Sequence, residues 1–465
     1  MNLFSYLSLL FFLLSWGCGN ILVAQNLRFE RGQILDSLPV MESKETYALY
    51  IPTSYTEENP SSIIFIFDPV GRGRTGIHPF LKASETYGHI LVCSNDSRNG
   101  PYERNIAVVN RLFATIFQTF TIDEQRVYLS GFSGGARLAT TIAVMTGKIA
   151  GVVSCGSGFS PNALQIPTMT RKFSYVGIVG DRDMNFQELF RVGALFSKFG
   201  INNEILTFEG EHRWPSSEIV LRAFDWLELQ DVLSNKFRMK DTVMLAALHR
   251  NYQAGLQFER KGAPLAAVNE YDRVLRMFRP YFNLDTVRLT IKRLRKEKAF
   301  KIAVSKNEKI KKEEEKIRER FEMRFFSELN NNATMTDTIW WVEEFQKIKK
   351  IYIKSPDPAF QKMGERIINA MNAVTYETGE EALRNLAVSK ALYCHHLRVL
   401  LLPEQSYPYF QLARDYALQN NLDKTLKYLA LAVAKGFTAK ERVLSTAEFK
   451  KYHQDPKFQK LLERL

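Results

Sequence analysis

The sequence predicts an α/β protein, with a doubly wound and mainly parallel sheet over residues 26–232 and an all-α region over 233–465. Three observations carry this. Short apolar runs alternate with amphipathic stretches up to about residue 230, the pattern of consecutive β–α units. Beyond that point glycine and strand-like runs become rare, and helical spacing continues to Leu465. The length of 465 residues exceeds one ordinary domain, and a composition of 45% hydrophobic and 24% charged residues supplies real cores and excludes wholesale disorder.

In chain order, the candidate strands are the apolar runs at 47–51, 63–67, 90–93, 127–129, 151–154 and 175–179, with a further run at 205–208. They are short and rich in β-branched residues, as strands buried on both faces must be. Helical stretches at 105–120 and 186–199 lie between them. In the second region, residues 251–275 resemble a tetratricopeptide repeat, with Ala254, Gly255, Phe258, Ala267, Tyr271 and Val274 at the small and aromatic positions that pack two antiparallel helices. Residues 409–434 match again through Tyr409, Leu412, Ala413, Tyr416 and Ala432, although Thr425 and Leu429 replace the usual alanine and aromatic. Residues 449–461 read as a closing cap whose last helix starts at Asp455-Pro456. Trp341, Phe345, Ile348 and Tyr352 fall on one face of a helix between the two repeats. Generic helical packing without true repeats is the alternative for the whole region.

The formal charge is +13, and residues 291–320 alone hold 13 Lys or Arg against 6 Glu. The basicity is therefore local. Ala303, Ile310 and Ile317 form a thin heptad stripe in this charged helix, which reads as a solvated helix or short coiled-coil arm. Interleaved glutamates and the scarcity of aromatics argue against nucleic acid as a partner. The four cysteines, Cys18, Cys93, Cys155 and Cys394, form no CxxC pair, so neither a disulfide framework nor structural zinc is expected. Cys93 and Cys155 read as buried thiols in or beside strands. Cys394, His395 and His396 are adjacent, so on a helix they diverge, and no metal site is assigned to them.

Residues 1–25 carry no charge, and residues 7–14 form an apolar core of signal-peptide length, too short to span a bilayer. The expectation is a signal peptide over 1–25 cut after Gln25, and an exported protein, periplasmic or secreted. Ser15-Trp16-Gly17-Cys18 offers a second reading, a lipoprotein anchored to a membrane at Cys18. The missing basic residue near Met1 leaves an uncleaved anchor or a misassigned start as further alternatives.

The sharpest chemical signal is Gly131-Phe132-Ser133-Gly134-Gly135, between the run at 127–129 and a helix-compatible stretch from Ala136. A strand-to-helix turn of this kind needs small residues on both sides of the serine: the backbone is strained there and neighbouring chain passes close by. Gly131 and Gly135 are thus nucleophile-elbow positions, and Ser133 is the candidate nucleophile. A serine needs a base, and the base needs an orienting carboxylate, in the chain order Ser, acid, His. Asp183 lies in the loop after the run ending at Val179 and is preferred to Asp181. His212 follows the run at 205–208 and is the sole histidine after Asp183 that lies in the α/β region.

With these residues in view, about 45–230 resembles the α/β-hydrolase superfamily, in particular esterases of the polyhydroxybutyrate depolymerase, feruloyl esterase and dienelactone hydrolase kind. Gly-Phe-Ser-Gly-Gly, the Gly-x-x-Asp loop and Gly210-Glu211-His212-Arg213-Trp214-Pro215 carry the likeness. The departure is Phe67-Asp68-Pro69-Val70-Gly71, which stands where the family has His-Gly. Pro69 has no N–H to offer, so the resemblance implies an oxyanion hole built from Val70 or Gly71 together with Gly134. It also implies a serine hydrolase acting on a small-molecule or polymer ester without a cofactor. The alternative is a weak or inactive hydrolase-fold scaffold that binds a protein partner through its helical repeats.

Overall fold

The computed structural model describes residues 29–160 and 173–465. The signal-peptide and Cys18 readings lie outside the described residues. The chain forms two compact units, Met1–Val304 and Ser305–Leu465.

The first unit holds an eight-stranded sheet among the described residues: β1 (Ile34–Pro39), β2 (Thr46–Tyr50), β3 (Ser61–Phe67), β4 (Ile90–Ser94), β5 (Ile122–Phe132), β6 (Gly151–Cys155), β7 (Ser174–Gly180) and β8 (Asn203–Phe208). The order is β1-β2-β4-β3-β5-β6-β7-β8. β2 runs antiparallel to both β1 and β4, and the other pairs are parallel. β1 was not among the candidate strands. Its sequence, ILDSLP, has no clean alternation, and its pairing with β2 is interrupted by a register shift between Leu35 and Leu38. β5 is longer than its apolar run because it begins in the charged stretch Asp123, Glu124 and Arg126, ahead of the buried residues.

Helices cover both faces, which is why the inner strands read as unbroken apolar runs. They are α1 (Gly73–Ile77), α2 (Leu81–Tyr87), α3 (Tyr102–Thr119), α4 (Gly134–Thr146), α5 (Phe186–Lys198) and α6 (Ser217–Leu233). Alternate strand residues serve different cores. Phe65, Leu129, Val152 and Tyr175 pack with Leu112 of α3, Ala139 of α4 and Phe196 of α5. Ile64, Tyr128, Val153 and Val176 pack with Phe224 and Leu227 of α6. Cys93 and Cys155 are buried free thiols, and burial pushes both well above the ordinary thiol pKa.

The change of texture near residue 232 is real, but packing continues across it. α7 (Asp241–Arg260), α8 (Pro264–Phe278) and α9 (Asp285–Lys296) share the α6 core through Met244, Ala247, Ala267, Tyr271, Val274 and Leu294. Buried polar groups reinforce the join. Arg222 Nε donates to Asn251 Oδ1 at 3.1 Å, Arg250 pairs with Asp225 at 2.6 Å, and Arg222 also pairs with Glu270. The compact unit accordingly ends at Val304 and not at residue 232. α7 and α8 fold back on each other, with Gly255 so close to the Tyr271 ring that a Cβ there would lie 2.6 Å from it.

The second unit contains most of α10 (Lys298–Asn330), then α11 (Thr338–Ile348), α12 (Pro358–Arg384), α13 (Val388–Leu401), α14 (Ser406–Leu418), α15 (Leu422–Ala434), α16 (Lys440–Ser445) and α17 (Pro456–Leu462). The charged stretch 291–320 is not one helix: Glu297, with extended backbone at φ −65 and ψ 140, separates α9 from α10. Nor is its stripe an arm in solvent. Ile310 and Ile317 are buried with Phe321, Phe325, Trp341, Phe345, Ile348 and Tyr352, and Glu314 is buried against Arg366. Asp455 caps α17 by accepting from the Lys457 and Phe458 N–H groups, at 2.8 and 3.1 Å. No described helix is long and apolar enough to cross a membrane.

Candidate active site

β5 delivers its last residue, Phe132, to the carboxyl edge of the sheet, and α4 begins at Gly134. Ser133 between them has φ 54 and ψ −120, a strained conformation for a residue with a side chain. Hydrogen bonds hold it there. The Ser133 N–H donates to Cys155 O at 2.8 Å, and its carbonyl accepts from Ala136 N at 3.0 Å and from Ser157 Oγ at 2.6 Å. The flanking glycines are dictated by space: a Cβ on Gly135 would sit 2.0 Å from Phe67 O, and one on Gly131 would sit 2.3 Å from Gly135 O.

The acid loop follows β7. Asp183 is fully buried; its Oδ1 accepts from the Asn185 N–H at 2.8 Å and its Oδ2 lies 2.8 Å from His212 Nδ1. Asp181 does something else. Its Oδ1 accepts from the Gly210 N–H at 3.1 Å, which ties the acid loop to the histidine loop. His212, in the loop after β8, places Nε2 2.9 Å from Ser133 Oγ. Because Asp183 is an acceptor only, it selects the tautomer with hydrogen on Nδ1, leaving Nε2 free to accept the serine proton. The Phe132 ring packs on the imidazole with centroids 4.6 Å apart. The structure thus brings Ser133, His212 and Asp183 into one hydrogen-bonded chain.

The oxyanion loop requires a correction. The Val70 N–H donates to Asp68 Oδ1 at 3.0 Å, and the Gly71 N–H donates to Asp68 O at 3.2 Å. Both expected loop donors are therefore already satisfied. Asp68 is buried and also accepts from Arg72 Nε at 3.1 Å, Arg72 Nη2 at 3.0 Å and Trp214 Nε1 at 3.0 Å. Burial alone would raise its pKa; the bonds from Arg72, Trp214 and Val70 outweigh that and hold the carboxyl below its usual range. The physical reason for the correction is the carboxylate at position 68. It curls the following turn around itself, as Asx turns do. The Gly134 N–H, at the first position of α4, has no acceptor among the described residues.

Sequence reasoning missed Asp68, Asn185 and Ser157. Asp-Pro-x-Gly was a legible turn signal, but the bond from Trp214 to Asp68 spans 146 positions and had no local signature.

No protein-family model and no curated protein matches the chain. Among solved structures it is similar to the S-formylglutathione hydrolase apoenzyme of Staphylococcus aureus, at 12% identity and a TM-score of 0.34, over 43% of this chain and 98% of that one. It is likewise similar to Est1E from Butyrivibrio proteoclasticus, at 12% identity and a TM-score of 0.34, over 43% and 99% of the two chains. A third is a serine-to-alanine variant of the feruloyl esterase module from Clostridium thermocellum complexed with sinapinate, at 13% identity and a TM-score of 0.32, over 40% and 83%. With its mainly parallel eight-stranded sheet, antiparallel first strands and helices on both faces, the first unit has the α/β-hydrolase fold.

Proposed function

We propose that the chain is a serine hydrolase that cleaves carboxylic esters. The observation that supports this most is the unbroken series Ser133 Oγ, His212 Nε2, His212 Nδ1 and Asp183 Oδ2, with contacts of 2.9 and 2.8 Å. In the proposed reaction Ser133 Oγ attacks the ester carbonyl carbon while its proton passes to His212 Nε2. Asp183 stabilises the imidazolium and keeps its orientation. The Gly134 N–H, at the positive end of α4, holds the developing oxyanion. His212 returns the proton to the departing alkoxide, and water, activated by the same imidazole, releases the acid from the acyl-enzyme. The mechanism calls for no metal or organic cofactor. We place the enzyme outside the cytoplasm, on the leader-like composition of residues 1–25.

A second reading is a hydrolase-fold scaffold with little or no activity, binding a protein partner through its helical, tetratricopeptide-like part. One observation favours it: Val70 and Gly71 both have their N–H groups bound to Asp68. A fluorophosphonate probe separates the readings. Labelling located at Ser133 by mass spectrometry, and lost in Ser133→Ala and His212→Ala, supports the enzyme. A folded protein that does not label returns the assignment to the scaffold.

A further inference from the structure

We propose that the Asn99 carboxamide is the second oxyanion donor, acting opposite the Gly134 N–H in place of the loop amides that Asp68 holds. The inference rests on the serine-hydrolase reading and names a further residue of that site. One hydrogen-bond donor is rarely enough for a tetrahedral oxyanion, and acyl-transfer sites pair a backbone N–H with a second donor from backbone or side chain. The two loop amides on offer, Val70 and Gly71, donate to Asp68.

Asn99 stands beside the elbow. A Cβ built on Gly134 would lie 1.9 Å from Asn99 Oδ1 and 3.3 Å from Asn99 Nδ2, so the carboxamide occupies the space next to the residue whose N–H has no acceptor among the described residues. This accounts for glycine at position 134, where φ makes no demand for it: any side chain there would displace Asn99. The residue is held by its backbone, through the Asn99 N–H to Pro69 O at 2.8 Å. Its loop is fastened to the Asp68 loop a second time, by the Gly73 N–H to Asn95 Oδ1 at 2.8 Å. The side chain itself makes no hydrogen bond to any described residue and is exposed, so it can serve a ligand without breaking another contact. A half-turn about its last torsion exchanges Oδ1 and Nδ2 in the same space, presenting N–H toward an oxyanion at Gly134.

The test is steady-state hydrolysis of p-nitrophenyl acetate by the full chain, beside fluorophosphonate labelling and a thermal melt, for wild type, Asn99→Ala and Asn99→Asp. The expected result for Asn99→Ala is a kcat lower by about 100- to 1000-fold with KM nearly unchanged and the melt intact. Asn99→Asp should fall at least as far, because a carboxylate of the same shape repels the oxyanion. If kcat in Asn99→Ala stays within about threefold of wild type, or if only KM rises, the proposal is overturned and the Val70 loop must reopen to supply the donor. A wild-type chain that neither labels nor hydrolyses overturns the serine-hydrolase reading and this inference with it.

Discussion

At the elbow, two glycines keep backbone apart from backbone. The atoms that a methyl on Gly135 or Gly131 would strike are carbonyl oxygens, at 2.0 and 2.3 Å, and no rotamer change can move them. Gly135→Ala should therefore destabilise the fold by about 1–3 kcal/mol or more and also displace Ser133. Urea denaturation reads the first effect and the rate of fluorophosphonate labelling the second. Asp183 offers a cleaner separation of chemistry from folding. In Asp183→Asn the side chain keeps its shape but can present an N–H to His212 Nδ1, which favours the wrong tautomer. The expected outcome is a kcat lower by about 10⁴-fold with an almost unchanged melt.

Within the second unit, α13 shows what adjacency on a helix does to three chemically active side chains. Cys394 is buried in the α10–α12 core, His395 Nδ1 lies 2.5 Å from the buried Asp415, and His396 Nε2 lies 2.9 Å from Tyr416 Oη. Successive residues turn by about 100°, so each finds a different neighbour. Burial, followed by Lys424, His395 and Lys427, pushes the His396 pKa down to about 4. The folded state thus keeps His396 neutral while the unfolded chain takes up a proton near pH 6.5. Between these values the unfolded state binds more protons, so stability falls as pH drops from about 6.5 to about 4 and levels off below. Across this range the melting temperature of wild type should fall further toward acid than that of His396→Gln, because the variant lacks this component of the slope. Parallel curves would show that His396 does not titrate in this way.

For the whole molecule, the position of the unit boundary decides which fragments can stand alone. A chain ending at residue 232 keeps α6 except its last residue but loses α7, α8 and α9. Phe224 and Leu227 would then lose part of their cover, and buried Arg222 would lose Asn251 and Glu270. Removing the partner of a buried charge costs about 3–5 kcal/mol, a large part of an ordinary domain's stability. A fragment of residues 26–304 should therefore be soluble and melt cooperatively, whereas 26–232 should aggregate or melt far lower. Circular dichroism of the two fragments checks this. Activity retained by 26–304 at the full-chain rate would confine the chemistry to the first unit.

The local features of this protein were legible in its sequence because they are set by short-range physics. Buried strands need unbroken apolar runs, a strained serine needs small neighbours, and the chain order Ser133, Asp183, His212 follows from loops at successive strand ends. Six candidate strands, the further apolar run at 205–208 and the meeting of those three side chains were available on these grounds. Tertiary structure alone decided the rest. β1 exists because β2 offers it an edge, not because its own residues demand a strand. The stripe at Ile310 and Ile317 is core rather than arm because Trp341 and Phe345 return to cover it. The amides of Val70 and Gly71 were equally available to a substrate or to the protein until Asp68 was fixed in place, with Trp214 reaching it from 146 residues away. Hydrogen-bond competition of that kind is settled by which groups the fold brings within 3 Å, and spacing along the chain does not encode it.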